Sequence, residues 1–125
     1  MQNLVSDAVA YAAEQLRDHS EAVFQAGIAI ELQGRGAIVQ TEVAVPVPFA
    51  LSWSGAHVTV GHVRLDCVVT YEGETVALEV KRRATNCEPQ LRKYIQSIDQ
   101  TWGLVLVTPD GVQWIRTCNH DQPPL

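Results

Sequence analysis

The chain has 125 residues, 46% of them apolar and 18% charged, with a net charge of −5. That length sets a single domain around one core, and that balance excludes a disordered chain or indiscriminate nucleic-acid binding as a global property. No apolar run reaches the ~18 residues of a membrane span, and three scattered cysteines (Cys67, Cys87, Cys118) make neither a disulfide framework nor a Cys-based metal site.

Leu4, Ala8, Ala12 and Leu16 recur at helical spacing and predict an N-terminal helix over 3–17. It carries no basic leader, so no secretion signal is expected; reduced thiols then point to an intracellular protein, cytoplasmic or nucleoid-associated. Ser20 is the expected N-cap of a second helix over 21–34, with Val23, Phe24, Ile28 and Leu32 on its apolar face and Gly34 and Gly36 at its end. "AIVQTEVAVPVPF" alternates as a strand does, and Pro46 and Pro48 are expected to stop its regular pairing. "LSWSGA" reads as a loop, "HVTVGHVRLDCVVTY" as β-rich with a break at Gly61, and "EGE" at 72–74 as a tight turn. "TVALEVK" is the next strand. "EPQLRKYIQSID" is a helix with Leu91, Ile95 and Ile98 on one face, "WGLVLVTP" an apolar strand, and "DGVQWIR" a turn and short strand. After the first helix the order is αβββαβ, an α/β fold: an N-terminal helix to residue 17, a core over 18–116 and a polar tail over 117–125. Leu4, Val5, Ala8 and Leu16 could cover the sheet or lie in a homodimer contact.

The informative charge is local. Of nine Lys and Arg residues, Lys81, Arg82, Arg83, Arg92 and Lys93 fall within thirteen positions and only Glu88 opposes them, so an acidic chain carries one basic region. In "VALEVKRR", alternation sends Val76, Leu78 and Val80 to one face and Ala77, Glu79 and Lys81 to the other. The turn at 72–74 folds "RLDCVV" back on this strand and can bring Asp66 near Glu79. Two carboxylates at short range are costly unless a cation sits between them, and oxygen-rich sites suit Mg²⁺ or Mn²⁺. The plainer alternatives are a surface hairpin with Glu79 and Lys81 in cross-strand salt bridges, and a solvated basic helix end. Gln90 and Tyr94, four apart, share one side of the following helix. His19, His57, His62 and His120 lack metal-ligand spacing, Cys67 faces the core, and Trp102 and Trp114 read as packing groups. Trp53, between Ser52 and Ser54, has a better claim on a substrate or partner.

Asp66, then Glu79-Val80-Lys81, then "QLRKY" at 90–94 resemble the PD-(D/E)XK nuclease superfamily, whose restriction-endonuclease-like core is αβββαβ: a central mixed sheet flanked by helices, here with an extra N-terminal helix. Gln90-x-x-x-Tyr94 resembles the QxxxY motif of its RecB-like branch. "SEAVFQAGIAIELQGRGAIVQTEVAVPVPF" and "GHVRLDCVV" are similar to the small GxxExxY proteins of that superfamily. The corresponding box runs from Asp18 to Phe24: Glu21 keeps the acid, Asp18 stands for the glycine and Phe24 for the tyrosine. The resemblance covers roughly residues 18–116. It implies a metal-dependent nuclease acting on DNA. Asp66, Glu79 and the Val80 carbonyl would hold Mg²⁺ or Mn²⁺, Glu21 would complete the shell or recruit a second ion, and Lys81 would position water and clamp the transition state. Gln90 and Tyr94 would orient the substrate or that water, while Arg82, Arg83, Arg92 and Lys93 would contact flanking phosphates; Arg64 could do the same or pair with an acid. Two rivals stand beside the nuclease: a nuclease-fold module that binds nucleic acid or protein with little turnover, and an interaction module whose acids are surface charges.

Overall fold

A computed structural model describes residues 1–50, 53–82, 95 and 97–118, apart from the side chains of 47–50, 57 and 60. Two helices, α1 (Gln2–Leu16) and α2 (Glu21–Gly34), precede five strands: β1 (Ile38–Ala50), β2 (His57–Tyr71), β3 (Glu74–Val80), β4 (Gly103–Thr108) and β5 (Gly111–Arg116). The α1 stripe of Val5, Ala8, Val9, Ala12 and Ala13 is buried. Its small residues let α2 come close, and a methyl group on Gly27 would strike Leu16 Cδ1. Ser20 caps α2 as expected, its hydroxyl accepting from the Val23 N–H at 3.3 Å. Phe24, Ile28, Ala29 and Leu32 form the buried α2 stripe, whereas Val23, expected on it, is exposed one position to its side.

The sheet is mixed, in the order β1-β2-β3-β4-β5. β1, β2 and β3 run antiparallel in turn, β3 and β4 are parallel, and β4 and β5 are antiparallel. Glu72 and Gly73, both at positive φ (51° and 81°), make the tight β2–β3 turn. A parallel neighbour needs a crossover, and the connection over 81–102 supplies it. Most of the helix expected over 88–99 lies outside the described residues. Ile95 and Ser97 are helical, but Ile98 is buried and Ile95 is exposed.

Pairing of β1 and β2 runs through Pro46↔His62 to Ala50↔His57, so Pro46 does not stop it; the expected interruption is reduced to a register shift between Val47 and Pro48, opposite Gly61 and Thr59, inside a continuous β2. The reason is position: β1 is an edge strand, where a proline's missing N–H can face outward without removing a ladder bond.

The core has two faces. On the helical side, Cys67, Val69, Val76, Leu78, Val80, Val105 and Val107 meet α1 and α2. On the other side, Ala77, Val68, Leu104 and Leu106 pack with Ile98 and Trp102. Leu65 joins this second face although alternation from Cys67 would send it to the first, and Val63, Val43 and Val45 follow it while Val39 stays on the helical side. Both strands therefore change face at one level, that of Glu42 and Asp66. There the β1–β2 register steps from Thr41↔Cys67 to Val43↔Leu65 without pairing the two, and Glu42 has φ 56°. Among the described residues no helix is long and apolar enough to cross a membrane.

Candidate active site

The site lies where β2 parts from β3. Their ladder ends at Cys67↔Leu78, one step short of Asp66 and Glu79. β3 stays paired on its other side through Val80↔Val107, and the Lys81 N–H donates to the Val107 carbonyl at 2.8 Å. Alternate N–H groups of a strand point to opposite sides, so that of Val80 points toward β2, where no backbone partner remains. The Asp66 carboxylate takes its place, with Oδ2 accepting from Val80 N at 2.8 Å. The carboxylate therefore rests against the Glu79–Val80 peptide. The carbonyl of a strand residue points with its own N–H, so the Val80 carbonyl faces the same opening.

Glu79 is the one charged residue buried among those described, 2% exposed. It lies on the Ala77 face, as alternation predicts, and Lys81 two residues on returns an ammonium to it, Nζ to Oε1 at 3.2 Å. Burial alone would lower the Lys81 pKa. The hydrogen bond to Glu79 and the charges of Glu79, Glu21 and Asp66 outweigh that, and the net shift is upward. Lys81 is thus an ammonium at neutral pH and no reservoir for a proton. Burial also pushes the Asp66 carboxyl upward; the Val80 N–H and Lys81 oppose it, and Glu42 and Glu21 add to it. Next to it, the buried Cys67 thiol is pushed up to about 12 by desolvation and by Asp66, Glu42 and Glu79, which leaves it inert.

Glu21 is exposed on the first turn of α2, close enough for its charge to act on Asp66 and Lys81. It does not close a three-acid group with Asp66 and Glu79: among the described residues no three His, Cys, Asp or Glu side chains gather to hold a metal ion. The donors offered around the Glu79–Val80 peptide are oxygens: the Asp66 carboxylate that rests on it and the buried carboxylate of Glu79. That chemistry fits Mg²⁺, which takes one or two carboxylates and keeps several waters. Arg82 is exposed directly after the site. Arg64 is paired with an acid, Glu42, Nη1 to Oε2 at 3.6 Å, with its side chain largely exposed. Arg83, Gln90, Arg92, Lys93 and Tyr94 lie outside the described residues.

Two residues enter the site that the sequence did not single out. Glu42 brings a further negative charge to Asp66. Gln25 donates its side-chain amide to the Asp66 carbonyl at 3.1 Å. The signal for Gln25 was its place four residues after Glu21, on the same side of α2. Set against known proteins, the chain matches no family model, no curated protein and no solved structure.

Proposed function

We propose that the protein is a metal-dependent nuclease of the PD-(D/E)XK type that hydrolyses phosphodiester bonds in DNA. One observation carries this: the Asp66 carboxylate seated on the Glu79–Val80 peptide, at the open end of β3, beside the Glu79–Lys81 pair. The succession α2, β1, β2, β3, crossover, β4 supports it, because it is the order that such a core requires.

Asp66, Glu79 and the Val80 carbonyl would hold Mg²⁺ or Mn²⁺, with Glu21 left to complete the shell or serve a second ion. When bound, the metal supplies a Lewis acid for the phosphoryl oxygens and lowers the pKa of a water. Lys81, held protonated by Glu79, offers a fixed cation to the charge that grows on the phosphoryl group, and its hydrogen bonds orient the attacking water. Glu79 performs two tasks, since the carboxylate that binds the metal also holds the ammonium in place. Arg82 and, further along the chain, Arg83, Arg92 and Lys93 would contact phosphates on either side of the scissile bond. Gln90 and Tyr94 would orient substrate or water. A second copy would be required to cut both strands of a duplex at one place.

The test is to incubate purified protein with linear and circular DNA, with Mg²⁺, with Mn²⁺ and with chelator. Cleavage is expected with metal, none with chelator, and none from Glu79→Ala. No cleavage of any topology, together with no metal binding by calorimetry, would overturn the proposal. DNA binding that persists unchanged in Glu79→Ala and Lys81→Ala, without turnover, would favour a binding module on the same scaffold.

A further inference from the structure

We propose that Gln25 is a positioning residue for Asp66, its amide holding the Asp66 main chain out of the ladder so that the carboxylate reaches the open end of β3. This rests on the nuclease reading for its functional consequence, but the geometry stands without it. At Asp66, β2 loses both neighbours. The β3 ladder stops at Cys67↔Leu78, and β1 passes the position by with Glu42 in a left-handed conformation. A half-buried carbonyl at such a point needs a donor from elsewhere. Gln25 Nε2 provides it at 3.1 Å.

The donor comes from a fixed platform. Phe24, the residue before Gln25, is 1% exposed, Ile28 and Leu32 are fully buried, and Ser20 caps the helix one turn earlier. A side chain on that platform sets the height of the Asp66 peptide relative to the sheet. Here β2 also changes face, Leu65 packing with Val68 instead of with Cys67. With its carbonyl turned to α2, Asp66 is free to send Oδ2 to the Val80 N–H at 2.8 Å. A chain runs from the Gln25 amide through the Asp66 backbone and carboxylate to the N–H of Val80, the residue whose carbonyl is itself a proposed ligand. Gln25 touches neither substrate nor metal in this scheme. It acts through Asp66.

The experiment compares the full-length wild type with Gln25→Met, which keeps the shape and loses the donor, and with Gln25→Lys, which keeps a donor. Hydrogen exchange followed by NMR without metal reads the Val80 amide directly. Gln25→Met should lower Val80 protection by about tenfold, the loss of one supporting hydrogen bond, while Val76 and Leu78 stay as in the wild type. Gln25→Lys should retain it. In Mn²⁺ titrations the half-saturating concentration should rise by about tenfold in Gln25→Met, with the cleavage rate at saturating Mn²⁺ within about twofold of wild type. A purely structural role would not produce that split. Unchanged Val80 protection and unchanged Mn²⁺ half-saturation in a Gln25→Met protein that melts like the wild type would overturn the proposal. Should Gln25→Met not fold, loss of Val80 protection in Gln25→Lys would overturn it equally, and retention would support it. Failure of the nuclease reading looks different: Asp66→Asn would then bind Mn²⁺ as the wild type does, or the wild type would bind none, while the metal-free exchange data still decide the role of Gln25.

Discussion

Strand β3 has two halves that differ in kind. From Val76 to Leu78 it is paired on both sides, with β2 and β4, and buries nothing but Val76, Ala77 and Leu78. From Glu79 to its end at Val80 it is paired, among the described residues, with β4 alone, and there, with Lys81 just beyond, it carries a buried carboxylate, an ammonium and a peptide N–H bonded to a side chain. The first half is held by apolar contact and ladder bonds, the second by charge and side-chain hydrogen bonds. The comparison teaches that a site can lie within a sheet core when one neighbour withdraws: the strand keeps its geometry from β4 while the β2 side opens to polar groups.

Substitutions on the two halves should separate activity from stability. Glu79→Gln is expected to lower metal-dependent cleavage by at least about 10³-fold with the melting transition retained, measured by single-turnover kinetics beside calorimetry. Leu78→Ala, one residue away, should do the reverse. It opens a cavity among Cys67, Val105 and the helices, and should cost about 2–5 kcal/mol in urea unfolding while the surviving native fraction still cleaves. Lys81→Met should reduce the cleavage rate by about 10²-fold at saturating metal, with little change in fold because Lys81 is partly exposed. If Leu78→Ala abolished cleavage in a folded protein, or Glu79→Gln unfolded it, the division between the halves would fail.

The smallest effect is a gain in stability. The Asp66 carboxyl is raised in the fold from its ordinary 3.8, so the native state holds that proton more tightly than the unfolded chain does. Well below pH 3.8 both states are protonated and the group is neutral in the balance. As pH rises through 3.8 toward the folded value, the native state loses ground, and the deficit is complete above it. Asp66→Asn, which keeps an acceptor for Val80, should therefore melt slightly higher than the metal-free wild type at pH 7, read by calorimetry, and the gap should close as pH falls toward 3.8. Saturating Mn²⁺ should reverse the order, because only the wild type retains the anionic ligand.

Much of this was legible in the sequence, and for local reasons. Ser20, the helical stripes and the Glu72-Gly73 turn follow from residue chemistry within a few positions, and "EVK" names Glu79 and Lys81 because alternation holds throughout β3. The misreadings share a different cause. Pro46 looks like a break until β1 is known to be an edge strand, and Gly61 until its strand is seen to absorb a register shift there without ending. The face switch at Glu42 and Asp66 belongs to two strands at once, and strict alternation would have placed Leu65 with Cys67. No single-strand pattern reveals it, so Glu42 went unremarked. Gln25 was missed because its partner is a main-chain carbonyl 41 positions on, and its place four residues after Glu21 names a side of the helix but no partner.

The prolines of β1 bear on how the protein behaves in company. Along that margin Pro46 and Pro48 have no amide hydrogen to give, so an incoming extended peptide finds gaps where it would need bonds. β5, at the opposite margin, contains no proline in "GVQWIR", so its outward-facing residues keep their amide hydrogens. Fibrous self-association or strand capture by another chain should begin from that side.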